Sequence, residues 1–405
     1  MATTIHDDLF APDVIADPYG YFGRLRAEDP VHWNAKYEVW VLTRYDDIVW
    51  LIRHPELFSS EVFKRDPRPP YPPIPEADVE MYGFVREFFA DFFIQHDRPS
   101  HTEMRMVTHS YFTPRAMEAW RPMVRAAIKD LLDDAEAKGQ MDVMQDFATP
   151  LPVLVIARML GLPEQDRRFI RELAQKLLFI GRGDLNRMRP LTDGIKGLAD
   201  YLSPLIKERL AHPGDDLLSV LASGETRGAF SRDEVVANAV LLLLAGHETT
   251  INLICNGTLA LIRHPEQWAL LQASSGLAVS ATEECLRYDP PVKSLQRIAA
   301  EDVELRGNVL RKLDRARWFI PSANRDPAKF PEPDRFDITR DPNPHVAFGS
   351  GIHHCLGATL ARVEGQEAFS ALVDRFPALH LTTEELEYQP SITFRSLKAL
   401  PVTWN

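Results

Sequence analysis

The stretch FGSGIHHCLG at residues 348–357 places one cysteine, Cys355, in a glycine-rich turn that runs into ATLARVEGQEAFSALVDRF, a segment with helical spacing. Cys355 therefore stands near a helix N-terminus, where unpaired backbone N–H groups and the helix dipole favour a thiolate over a thiol. The glycines let the backbone approach a flat ligand closely. A soft anionic ligand on a tight loop suits a metal such as iron. The other cysteines, Cys255 and Cys285, lie inside helical patterns with no turn and read as packing residues. Three cysteines so scattered form neither a disulfide framework nor a zinc cluster, which points to a reducing compartment.

Working outward, SRDE at 231–234 is a capping-box pattern, and the VVANAVLLLLAGHETTINLICNGTLALI that follows has no proline before Pro265. This predicts one buried helix of about thirty residues. Its apolar run is broken by AGHETT at 245–250, where apolar residues would be cheaper to bury. The Thr249 hydroxyl can bond back to the Ala245 carbonyl and bend the helix, and Gly246 leaves room for a small ligand. Further on, Glu284 and Arg287 are three apart on a helical face and can pair. They lie between the interrupted helix and the cysteine turn and are followed by FPEPDRF, which carries Arg335.

The rest of the chain reads as mainly helical. Amphipathic spacing covers 115–138 and 163–210, a small hairpin is expected at 31–43, and the proline-rich 63–75 reads as a long loop. The 405 residues, 45% hydrophobic with a net charge of −12, suffice for a large core, and length alone suggests two or three domains. The acidic balance without a basic block argues against nucleic acid as a partner. The first 22 residues lack a signal-peptide pattern, and no apolar run approaches a membrane span, so no membrane is expected and the compartment is read as cytoplasmic.

Phe348, Gly351, Cys355 and Gly357 together match F-x-x-G-x-x-x-C-x-G, and with the A-G-x-E-T and E-x-x-R segments in this order the chain resembles the cytochrome P450 family of haem-thiolate monooxygenases, of soluble bacterial type. The resemblance covers nearly the whole chain. It implies a mainly α fold with small β-sheets and a single haem domain over 1–405 with no fused reductase. It implies haem b (iron protoporphyrin IX) with Cys355 as the axial ligand, and Glu248 and Thr249 as the acid–alcohol pair that delivers protons to dioxygen held beside Ala245 and Gly246. His101, Arg105, Arg297, His345 and His353 stand where family members place contacts to the haem propionates. Glu284, Arg287 and Arg335 correspond to a buried salt-bridge triad.

The family's topology nominates Phe92, Phe93, Ile94, Phe179, Leu241, Leu242, Val292, Leu295, Ile392 and Phe394 as pocket residues. Their apolar character favours a small hydrophobic or aromatic organic substrate, hydroxylated or oxidatively dealkylated. With no flavin or iron–sulfur signature, electrons from NAD(P)H are expected through a separate ferredoxin, or flavodoxin, and its reductase. Arg115, Arg121, Arg125 and Arg362 are candidates for a basic docking patch on a monomer. One departure from the family is Leu313, in RKLDRARWF, where soluble bacterial members commonly carry a turn glycine. A non-oxygenating haem-thiolate protein, such as a nitric oxide reductase or gas sensor, is the alternative reading, and a haem-free protein with Cys355 as nucleophile is a second.

Overall fold

The computed structural model describes residues 5–71, 73–177 and 183–404. Ser231 caps the long helix Arg232–Arg263 as expected: its Oγ accepts from the Glu234 N–H at 3.1 Å, and the Glu234 carboxylate accepts from the Ser231 N–H at 2.7 Å. The helix is buried nearly all round, and it ends at His264 with Pro265 following. It is also the one described helix with the length and hydropathy of a membrane span, against the expectation that no segment comes close. In the fold, 83% of its most apolar window is buried inside the molecule, which is where that hydrophobicity is satisfied.

Other helices pack around it. Helix Met188–Ala211 buries Leu191, Ile195, Leu198, Leu202 and Ile206, one face at three- and four-residue spacing, and helix Pro150–Met159 packs alongside. The cysteine helix, Ala358–Arg375, crosses the long helix so closely that a Cβ on Gly257 would lie 2.3 Å from the Phe369 ring. Only glycine fits at that crossing.

Strands β1 (Val31–Asn34) and β2 (Val39–Leu42) form the expected antiparallel hairpin. With β3 (Phe58–Ser59), β4 (Ser294–Ala299) and β5 (Arg315–Phe319) they make a five-stranded sheet in the order β1-β2-β5-β4-β3, in which β2 and β5 run parallel. A three-stranded sheet centres on Pro401–Thr403, and Val303–Leu305 pairs with Asn308–Leu310.

The proline-rich segment departs from the loop reading at its start, where Val62–Arg65 completes one helical turn before Pro67 removes the next donor. Beyond it, Arg68 Nε bonds Asp66 at 2.9 Å and its Nη2 bonds the Leu313 carbonyl at 2.7 Å, tying the loop to the departing turn. Leu313 itself has φ +72°, the left-handed conformation a glycine would adopt freely.

Candidate active site

The cysteine turn is built by Gly349 and Gly351, both at φ +69°. The Cys355 N–H donates to the Phe348 carbonyl at 2.9 Å, and helix Ala358–Arg375 starts three residues later. Cys355 is exposed, whereas Cys255 and Cys285 are buried. Although its surface is open, the protein atoms crowded around the sulfur desolvate it and push its thiol up, against the smaller downward pull of the Gly357 N–H and of Arg105 and Arg362. The sequence reading expected the helix N-terminus to favour the thiolate. The Gly357 N–H and the two arginines pull toward the thiolate as the turn predicts, against that desolvation, and a metal cation at sulfur would favour the thiolate further.

Beside the turn, four nitrogen side chains from three segments converge. His101 and Arg105 share one face of helix Ser100–His109, Arg297 comes from β4, and His353 from the turn itself. The rings of His101 and His353 lie 4.0 Å apart. His353 Nε2 shares a hydrogen bond with Ser60 Oγ at 2.8 Å, and Arg105 donates to the His354 carbonyl at 2.6 Å. Burial, reinforced by the nearby arginines, drives His101 down to about 4 and His353 to about 2, so both rings are neutral. Burial also lowers Arg297 to about 10. Both nitrogens of His101 and the Nδ1 of His353 are buried without a partner, and the Arg297 guanidinium lies over the Trp318 ring, 5.6 Å from its centroid. Donors left this way are costly unless an acceptor is brought in, and a ligand carrying two carboxylates, as haem does, fits this set.

His345 does not join them. Its Nε2 meets the Glu283 carboxylate at 3.1 Å, which also takes Arg362 at 2.7 Å, so His345 belongs to an ion-paired cluster. Hydrogen bonds from His345 and Arg362 hold Glu283 at about 2 against its burial.

On the long helix, Thr249 Oγ1 donates to the Ala245 carbonyl at 2.7 Å, the back-bond read from the sequence. Ala245 is exposed, and Gly246 and Thr249 are half-buried, in the middle of a helix whose central stretch is otherwise buried. Gly246 does not open the groove as expected: a Cβ there would point at Ile156, at an ordinary contact of 3.7 Å. Glu248 is 6% exposed and accepts from Ser396 Oγ at 2.6 Å and Asn252 Nδ2 at 3.1 Å. Neither partner was expected, and Ser396, 148 residues away, leaves no local signal.

Behind the cysteine turn, Glu284 and Arg287 pair at 2.7 Å with both side chains fully buried. The expected third member is corrected: the Arg335 side chain is 58% exposed and pairs with Glu332, and only its backbone carbonyl reaches Arg287, at 2.9 Å. Arg340 takes the place, with Nε 3.3 Å from the Glu284 carboxylate. The chain turns back after Arg335 to bond its Asp337 N–H to Glu284 at 2.9 Å, which carries Arg340 inward.

The pocket candidates separate. Leu295 and Ile94 are exposed, Phe92, Phe93, Leu241 and Leu242 are buried, and Val292 bridges to Phe394. Ile392 packs instead against the N-terminal cluster of Leu9, Val14, Phe22 and Phe319. Phe179 lies outside the described residues. Of the four arginines expected to form a basic patch, Arg121 and Arg125 are bound by Glu367 at 2.9 and 2.8 Å, and Arg362 by Glu283 at 2.7 Å. Their charge is largely cancelled within the molecule.

The family model for cytochrome P450 matches residues 35–274 and 277–400. The biotin biosynthesis cytochrome P450 of Bacillus subtilis (strain 168) is 36% identical over 408 residues, covering 99% of this chain and 100% of the relative. The vitamin D(3) 25-hydroxylase of Pseudonocardia autotrophica is 38% identical over 407 residues, covering 99% and 97%. Among solved structures, the myxobacterial cytochrome P450 CYP267B1 in complex with myristic acid superposes with a TM-score of 0.88 at 35% identity, covering 98% of each chain. The chain belongs to the cytochrome P450 family and is an oxidoreductase of that family, which works with haem and dioxygen.

Proposed function

We propose that this P450 hydroxylates or oxidatively dealkylates a hydrophobic organic molecule, taking electrons from NAD(P)H through a separate ferredoxin-type partner. The observation that carries the reading is the convergence of Cys355, on its glycine turn, with Arg297 and the unpartnered ring nitrogens of His101 and His353. In this reading the Cys355 sulfur takes the iron, and His101, Arg105, Arg297 and His353 take the two propionates. Haem so bound supplies the activation of dioxygen and the insertion of one oxygen atom into a C–H bond.

The chain's own residues do the rest. Arg297 and the two neutral imidazoles donate hydrogen bonds to carboxylates in a desolvated site, where charge-assisted bonds are strongest. Thr249, held by the Ala245 carbonyl, keeps its hydroxyl at the accessible point in the middle of the long helix. Glu248, adjacent in sequence, is the acid that brings protons, a role in which a positioned group contributes roughly 10²–10⁴-fold. Exposed Leu295 and Ile94, together with Val292 and Phe394, offer apolar surface to a substrate. The names of the relatives, a vitamin D(3) 25-hydroxylase and a myristic acid complex, support a large apolar substrate class.

The test is spectroscopic. The reduced carbon monoxide adduct of purified protein is expected to absorb where thiolate-ligated haem does, and Cys355→His should move it to the position of imidazole ligation. Colourless protein, or an imidazole-type adduct in the unsubstituted enzyme, overturns the reading. Screening fatty acids and steroids for displacement of the low-spin spectrum then narrows the substrate.

A further inference from the structure

We propose that Ser60 is a positioning residue for the propionate site: its buried hydroxyl donates to Nε2 of His353 and so fixes the ring proton on Nδ1, the nitrogen left to meet a carboxylate. The inference rests on the reading of His353 as a haem contact and specifies how that contact is made ready.

Ser60 directly follows β3 and is fully buried. Its Oγ lies 2.8 Å from His353 Nε2, and among the described residues that hydroxyl has no other partner. An imidazole nitrogen either donates or accepts, so the contact has two forms. With the proton on Nε2, the ring would donate to Oγ, and the serine O–H would be left in a closed site with no acceptor, which is the costly state for a buried donor. A ring carrying protons on both nitrogens meets the same objection. With Nε2 bare, the hydroxyl donates to it, and the single ring proton sits on Nδ1. That nitrogen is buried without a partner, so it is a donor held in reserve.

The consequence is one of sign. A carboxylate only accepts, so an Nδ1–H draws it in through a charge-assisted bond, whereas an Nδ1 lone pair would repel it. Ser60 thus decides whether His353 helps or opposes a propionate, as the partner of the far ring nitrogen does for a histidine that binds a metal.

Ser60 is itself held in place. Its N–H donates to Asp97 Oδ1 at 2.8 Å, and Ser59 Oγ donates to Asp97 Oδ2 at 2.5 Å. The Asp97 carbonyl accepts from the His101 N–H at 2.9 Å, so one aspartate ties the serine to the start of helix Ser100–His109, which carries His101 and Arg105. The rings of His101 and His353 are therefore set from one anchor, although the second stands far along the chain.

The experiment uses the haem-loaded enzyme as its diamagnetic reduced carbon monoxide adduct, with histidine ring nitrogens isotopically labelled for NMR. In the unsubstituted enzyme His353, identified by the signal missing from His353→Gln, is expected to carry its proton on Nδ1. A proton on Nε2, or on both nitrogens, overturns the proposal with no change made at Ser60, so it stays refutable even where a variant folds poorly. Ser60→Ala is expected to lose the single-tautomer signature and to release haem to apomyoglobin roughly tenfold faster, the low end of what such outer partners contribute. Ser60→Thr, which keeps the hydroxyl, should restore both. Faster release with the His353 tautomer unmoved marks a mere packing loss and overturns the proposal, as does release at the parent's rate. Protein that takes up no haem removes the proposed function and this role together. A thiolate-type adduct with the proton on Nε2 removes only the role of Ser60.

Discussion

Leu313 holds a left-handed backbone conformation at φ +72° with a branched side chain, where L-residues crowd Cβ against the carbonyl. The turn keeps it there: the Leu313 N–H donates to the Ala299 carbonyl at 2.8 Å and its own carbonyl accepts from Arg68 at 2.7 Å. Leu313→Gly is therefore expected to stabilise the protein by about 0.5–1 kcal/mol, the relief of strain less the entropy glycine adds to the unfolded chain. A urea melt checks it; an unchanged or lower midpoint would show that the turn carries no strain. The buried acid Glu284 makes a sharper contrast. Arg340→Ala removes a charged partner from it and should cost about 1–3 kcal/mol, whereas Arg335→Ala touches an exposed side chain and should stay within about 0.5 kcal/mol. Equal losses in the two melts would restore Arg335 to the place the sequence suggested. Both arginines stand in one short stretch, and only the path of the chain between them decides which turns inward.

At the level of elements, what was legible was local. The capping box, the uninterrupted apolar run and the glycine turn each lie within a continuous stretch, and each forms what its own periodicity and turn chemistry dictate. What was not legible depends on partners remote in the chain. Gly246 was read as opening a groove, yet its vacant side faces Ile156, and Ile392 was read as pocket, yet it joins the N-terminal cluster. Crossing geometry hides in the same way. Gly257→Ala should drive a methyl into the Phe369 ring and destabilise by about 1–3 kcal/mol, as overpacking does. Phe369→Leu in the same chain should recover part of that loss. A thermal melt in which Gly257→Ala is as stable as the parent would mean that the two helices separate freely.

For the whole molecule, pH acts through Glu364 on the cysteine helix. It is 2% exposed with Oε1 unpartnered, and burial raises its carboxyl to about 8 from an ordinary 4.5. Between those values the unfolded chain has lost the proton and the folded one keeps it, so unfolding releases a proton and stability falls as pH rises. The slope is roughly 1.4 kcal/mol per pH unit across that window. Glu364→Gln should remove it, leaving melting temperature near the parent's at pH 4.5 and several degrees above it at pH 8. Parallel melting curves for the two proteins over that range would show that the carboxyl is not held neutral.

The parallel pairing of β2 with β5 joins Val39 to Arg315, far apart along the chain. A ribosome adds about 5–20 residues per second, so the early hairpin waits tens of seconds for its neighbour to emerge. Throughout that interval VWVL offers a bare hydrogen-bonding rim to any other nascent chain. Yield in a host short of chaperones should accordingly fall with expression rate, and slower translation should rescue it even though the finished enzyme is no more stable.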